Sequence, residues 1–375
     1  MRNCHTTFHE STTLMKNSTV TRQRGLGAAL FGLALICATI ACATPTFADE
    51  ESASEELPRG HYLLPDEGNI IGEPYTVIVE EGDTLLDIGR RHNVGYEEMR
   101  MANPGVSLWA PHPGTEITIP AQHILPDAPR EGIVINLSEM RLYYYSSPGI
   151  VETYPISVGR DGFSTPVGIT HTTVKVKDPH WSPPRSMRAE AAARGEPPPS
   201  VVPPGPDNPL GRHAILLGLP SYLIHGTNRP DGVGMSVSRG CIRMFPEDIE
   251  SLYERVPSGT QVNIIDQPFK VSQSAEGLLY AQSFPALEGN QGVLELLLNA
   301  MERVANQFSE EIPAIDYAQL QAIIMQPDGR VISLMQSPEP PSTTHEPEEP
   351  TEGFFTETEL SQVSGIYLDL EADQP

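Results

Sequence analysis

One thiol and one imidazole are the chemically most pointed residues of this chain. His225 and Cys241 bound the stretch H-G-T-N-R-P-D-G-V-G-M-S-V-S-R-G-C, and twelve residues separate His225 from Ser238. A cysteine is a nucleophile as its thiolate, and a free thiol is mostly protonated at neutral pH. An imidazole within reach removes that limit by taking the proton. His225 ends the apolar run Tyr222-Leu223-Ile224, which reads as a buried strand able to hold the ring rigidly. The glycines at 226, 232, 234 and 240 let the chain fold back so that ring and sulfur meet. Gly240 permits a tight turn whose backbone N–H groups can face a developing oxyanion. Arg239 and Arg243 flank the thiol, where they would lower its pKa and grip a substrate carboxylate. The plainer alternative is a small buried cysteine beside an unrelated histidine.

The cysteine inventory favours chemistry. The chain holds Cys4, Cys37, Cys42 and Cys241. Residues 1–48 read as a secretory signal peptide: basic Arg22 and Arg24, an apolar run from Gly25 to Ala43, then Thr46-Phe47-Ala48 before acidic Asp49. A retained membrane anchor and lipidation at Cys42 are the alternatives, and Met15 is an equally good start. Cleavage after Ala48 leaves Cys241 alone in an oxidising, periplasmic compartment, where an unused thiol is a liability.

The formal charge of −25 over 375 residues becomes about −28 without the leader, which argues against nucleic acid or anionic lipid as a partner. The scattered histidines and single thiol have no metal-ligand spacing, so neither metal nor cofactor is expected.

The elements that must position this pair form a mainly β domain. With 37 Pro, 31 Gly and 39 % hydrophobic residues, short strands and loops fit better than helical bundles. Over residues 132–267 the pattern gives a hairpin across Ser138-Glu139, strands at 152–159, 169–176, 214–217, 222–225 and 259–265, and a helix at 248–255. A β-sandwich or barrel-like sheet follows. Residues 178–212 interrupt it with a Pro-rich excursion around a short helix at 188–194, read as a cover for the cleft. Before this domain lies a linker at 49–73, then a β-α-α-β module at 74–120 with helices at 85–92 and 96–102. After it come a small α+β unit at 268–335, with an amphipathic helix at 291–308, and an acidic tail at 336–375 read as disordered.

Two resemblances stand on these residues. H-G-T followed by S-R-G-C-I-R-M, with G-R-D-G-F-S-T-P-V-G upstream, resembles the L,D-transpeptidase catalytic domain of the YkuD type. Y-T-V, G-D-T-L, N-P and P-G-T-E-I-T-I-P in order resemble a LysM module, which implies binding of N-acetylglucosamine-containing glycan strands. The first resemblance implies Cys241 as nucleophile, His225 as base and a thioester acyl-enzyme. It implies a peptidoglycan tetrapeptide donor, cleaved between diaminopimelate and D-alanine. The acceptor is a second diaminopimelate amine, giving a 3→3 cross-link, or the lysine of an envelope lipoprotein. In that family a backbone carbonyl orients the histidine, and Gly226 stands at that place; Asp231 is the alternative. Ser238, Arg239 and Arg243 are read as substrate contacts, although Arg239 stands where many relatives carry histidine. A hydrolase or L,D-carboxypeptidase with the same acyl-enzyme, and a non-catalytic wall-binding protein, are the competing readings.

Overall fold

The structure, a computed structural model, describes residues 57–160, 162–196, 199–287, 292–308 and 314–336. The leader and the acidic tail beyond 336 lie outside them.

The chain opens with β1 (His61–Leu63) and β2 (Ile70–Ile71). A small unit follows: β3 (Tyr75–Ile78), α1 (Leu85–Arg91), α2 (Tyr96–Ala102) and β4 (Glu116–Ile119), with β3 and β4 antiparallel. Leu85, Ile88, Val94, Met99, Ile117 and Ile119 fill its core. Thr84 caps α1, its hydroxyl accepting the Asp87 N–H at 3.0 Å. Asn103 ties α2 to β4, donating to Met99 O and Thr118 O and accepting from Thr118 N–H at 2.7 Å.

After β5 (His123–Ile124) comes the main domain. Its elements are β6 (Gly132–Asn136), β7 (Arg141–Ser147), β8 (Ile150–Gly159), β9 (Gly168–Lys177), α3 (Arg185–Ala193), β10 (His213–Leu217), β11 (Leu223–His225), β12 (Ser236–Ser238), β13 (Ile242–Met244), α4 (Pro246–Arg255) and β14 (Gln261–Ile265). The ladder runs β8-β13-β11-β10-β9-β14-β6-β7 and returns to β8. The two layers expected of a sandwich are therefore joined at both edges into one ring of eight strands. Ten-residue β8 makes the closure, reaching β13 with its end and β7 with its start. The inward residues, Ile133, Ile135, Leu142, Ile156, Val158, Ile215, Ile224, Ile242 and Ile264 among them, alternate along the strands and share one core with Ile249 and Leu252 of α4.

The stretch 49–73, read as a linker with one short strand, carries two short strands in its described part. Among its described residues, 57–73, strand β1 pairs with β8 and β2 with β5. The C-terminal unit is a three-stranded sheet, β15 (Phe269–Gln273), β16 (Leu279–Ser283) and β17 (Val331–Ser333), covered by α5 (Val293–Ala305) and α6 (Tyr317–Met325).

Buried charges join the three units. Arg141 of β7 is fully buried and holds Glu98 of α2 at 2.8 Å. Lys270 of β15 reaches Glu139 at 2.7 Å, and the Tyr143 hydroxyl donates to the same carboxylate at 2.6 Å. Ions this deep survive only when paired, because each loses its hydration.

Candidate active site

His225 is the last residue of β11, and β11 runs parallel to β13, with Ile224 opposite Ile242 and His225 opposite Arg243. Ile224, Ile242 and Met244 point into the core. Strand alternation therefore turns Leu223, His225, Cys241 and Arg243 to the other face. Continued by one residue, the parallel register sets Cys241 opposite Leu223, one diagonal step from His225 across adjacent strands. The sheet register sets the two residues on one face of adjacent strands.

The ring is 5 % exposed, and its Nδ1 lies 2.6 Å from the Gly226 carbonyl oxygen. A carbonyl can only accept, so Nδ1 carries the hydrogen and Nε2 keeps the lone pair. Asp231 sits in the turn Pro230–Gly232, and the ring nitrogen it would orient is already engaged by Gly226. Burial pushes the His225 pKa down to about 4, the Arg243 charge adds to this, and the Gly226 carbonyl opposes it. Burial also pushes the Cys241 thiol up, against a lowering by the Leu223 N–H and by Arg243. The thiol donates to the Ser221 carbonyl at 3.5 Å. Both shifts favour the uncharged forms, thiol and imidazole, near neutral pH.

The turn before Cys241 is held tightly. Gly240 has φ +101°, and a side chain there would begin 2.7 Å from Tyr222 Cε1. Its carbonyl accepts from Thr165 Oγ1 at 2.9 Å. Its N–H donates to Ser238 Oγ at 3.0 Å, and Ser238 Oγ in turn donates to Cys241 O at 2.6 Å.

Two readings change as a result. The Gly240 N–H is occupied, so it is not a free oxyanion donor. Ser238 is 5 % exposed with its hydroxyl committed to the turn, so it shapes the loop and does not face a substrate. Ser221 adjoins the site with φ +70°, a conformation that non-glycine residues seldom adopt outside functional or tightly packed turns.

The two arginines part company. Arg239 stacks over Phe163 at 4.5 Å and binds Glu190 of α3 at 2.5 Å, with Ser186 at 3.4 Å. It ties the excursion to the catalytic loop and is not poised for a substrate. Arg243 has no carboxylate partner among the described residues, and its buried Nε has no hydrogen-bond partner. Burial, then Arg229, lowers its pKa. An unpaired guanidinium on the sulfur's face attracts an anion. Among the described residues no group of three or more His, Cys, Asp or Glu gathers as a metal site.

Sequence reasoning missed Thr165, Phe163, Ser221 and Leu223. The first two lie in the G-R-D-G-F-S-T-P-V-G stretch, which carries the resemblance without a role for any one residue; the last two act through backbone groups that leave no side-chain signal.

Comparison with known proteins finds two family models and several relatives. Residues 130–264 match the model of the L,D-transpeptidase catalytic domain, and residues 77–120 match the LysM domain. The chain is 44 % identical over 240 residues to the probable L,D-transpeptidase YcfS of Escherichia coli K12, covering 62 % of this chain and 75 % of that protein. It is 43 % identical to the probable L,D-transpeptidase ErfK/SrfK of the same strain, with 62 % and 77 % covered. It is 39 % identical over 285 residues to the probable L,D-transpeptidase YbiS, with 73 % and 91 % covered.

Proposed function

Since the chain belongs to the L,D-transpeptidase family, we propose that it is an exported acyltransferase that uses Cys241 to cut peptidoglycan tetrapeptide stems and pass the acyl group to a second amine. The observation that carries this is the tautomer fixed by Gly226. It leaves a basic Nε2 on the face that also bears the thiol.

In this reading Nε2 of His225 takes the thiol proton as sulfur attacks the carbonyl on the L-centre of the donor's third residue. The buried imidazole, reluctant to stay charged, gives the proton to the departing D-alanine amine, and a thioester remains on Cys241. The Cys241 N–H serves the oxyanion, as Gly240's is engaged. Arg243 holds a substrate carboxylate. The acceptor amine, a diaminopimelate side chain or the lysine of an envelope lipoprotein, then attacks the thioester, with its surplus proton passing to His225 and on to the leaving thiolate. Use of an amine in place of water requires a covered site, and the excursion tied down through Arg239 and Glu190 supplies the cover.

The LysM unit supplies glycan strands. Trp109, 60 % exposed on the loop after α2, offers a flat aromatic face for a sugar ring.

Purified protein given a disaccharide tetrapeptide should release D-alanine and incorporate an added diaminopimelate amine, read by mass spectrometry. Release with no incorporation of any acceptor would make it a carboxypeptidase. Neither product would leave a wall-binding protein.

A further inference from the structure

The segment between His225 and Cys241 holds its own two turns, at 227–233 and 238–241, but not the stretch that joins them. Its middle, residues 232–235, offers four carbonyls to the rest of the molecule. Strand β8 takes the outer two: Ser157 Oγ donates to Gly232 O at 2.7 Å, and Val158 N–H to Met235 O at 3.3 Å. The inner two go to the LysM unit. Tyr96 N–H donates to Val233 O at 2.9 Å, and Glu97 N–H to Gly234 O at 3.2 Å.

These donors are the first two of α2, groups that a helix cannot satisfy internally. The approach is backbone to backbone. A side chain on Gly234 would begin 2.3 Å from Tyr96 N, and one on Gly95 would begin 2.8 Å from Gly234 Cα. The same turn is anchored from behind. Glu98 accepts the Gly95 N–H at 2.8 Å with one carboxylate that also holds buried Arg141. Asn93 donates to Thr153 O at 2.8 Å, and Arg141 donates to Asn93 O at 3.0 Å.

We infer that the first turn of α2 positions the His225–Cys241 loop for acyl transfer, so that the glycan-binding unit is a working part of the catalytic domain and not only its tether. Gly95, Tyr96 and Gly234 are positioning residues that touch no substrate. They set the path of the loop whose two ends carry the base and the sulfur. By linkage, a glycan that stiffens α2 stiffens this loop, and an acyl donor that orders the loop tightens glycan binding. The inference rests on the acyl-transfer reading for its kinetic consequence, while the contact itself can be tested without turnover.

The test compares Tyr96→Pro with Tyr96→Ala in the full chain. Position 96 opens the helix, where proline's fixed φ fits, and Gly95 before it is extended at φ −83°, ψ 173°, as a residue preceding proline must be. Both variants lose the phenol; only proline loses the N–H and sets a methylene against the Val233 carbonyl. Tyr96→Pro should lower kcat for D-alanine release about 10- to 100-fold relative to Tyr96→Ala, with KM for the donor within about twofold. Its amides at 232–236 should exchange faster with solvent deuterium. Gly95→Ala, which has no backbone strain, should move both readouts the same way. Gly89→Ala, pressing on Met99 inside the LysM core at 2.7 Å, controls for loss of module stability.

Equal kcat and equal loop exchange in the two Tyr96 variants would overturn the inference. So would a Gly89→Ala variant, matched in melting temperature, that loses as much kcat as Gly95→Ala. Should wild-type protein release no D-alanine, the acyl-transfer reading falls, and the exchange comparison still decides the contact.

Discussion

Two parts of the molecule press on the catalytic loop from outside, and they are built differently. The LysM unit meets the middle of the loop through backbone groups and is held by the buried Glu98–Arg141 pair. The excursion meets the start of the loop where Asn228 donates to Asp207 O at 3.1 Å, and its end where Arg239 pairs with exposed Glu190 and reaches Ser186. A buried pair cannot part without stranding a charge, whereas an exposed pair exchanges its partner for water at little cost. On the proposed reading the first contact is a fixed support and the second an openable cover. A transferase needs both: a sulfur and base that do not drift, and a lid that admits two successive substrates.

The largest expected effect breaks the support. Arg141→Leu leaves Glu98 buried and unpaired, at a cost of about 3–5 kcal/mol, which denaturant titration will read. Glu98→Gln with Arg141→Met together should cost less than Arg141→Leu alone, because no ion is then stranded.

Next is the anion site. Arg243→Gln should raise KM about tenfold or more for a donor with free carboxylates, and much less for an amidated donor, as steady-state kinetics on the two donors will show.

A third prediction concerns protons. His225 titrates at about 4, so its neutral, basic form persists above that pH and is lost as pH falls through it. The acid limb of kcat/KM should therefore lie near 4. Burial raises the thiol, so alkylation of Cys241 by iodoacetamide should accelerate only in the alkaline range. A plateau of thiol reactivity from pH 5 upward would instead signal a standing thiolate–imidazolium pair.

The smallest effect sharpens the contrast from the other side. Glu190→Ala should leave the melting temperature unchanged and alter turnover or acceptor choice a few-fold. Replacing 178–212 by a short Gly/Ser linker should enlarge that change while the ring of strands still folds. A Glu190→Ala loss of stability approaching that of Arg141→Leu would erase the distinction between support and cover.

Much of this arrangement was readable in the chain because it follows local rules. Alternating apolar residues announced the strands, and a thiol and an imidazole in a glycine-rich stretch announced the site. Gly226 was placed by likeness to the family, and the structure sets its carbonyl on the ring. What escaped depends on distant partners. Strand β8 closes the ring by pairing on both sides, and nothing in its own residues says so. The contact of α2 with Val233 and Gly234 is made by backbone atoms, whose only trace is glycine at 95 and 234. Ser238 and Arg239 were misjudged because a hydroxyl or guanidinium beside a nucleophile looks the same in sequence whether it faces substrate or braces the turn.

The central claim is that sulfur carries the acyl group. Incubation of the protein with a tetrapeptide donor and no acceptor, followed by acid quench and peptide mass mapping, reads this directly. The account predicts a tripeptide acyl adduct on the peptide containing Cys241, absent in Cys241→Ser and discharged by added amine. Release of D-alanine by Cys241→Ser, or an adduct on any other residue, would contradict it.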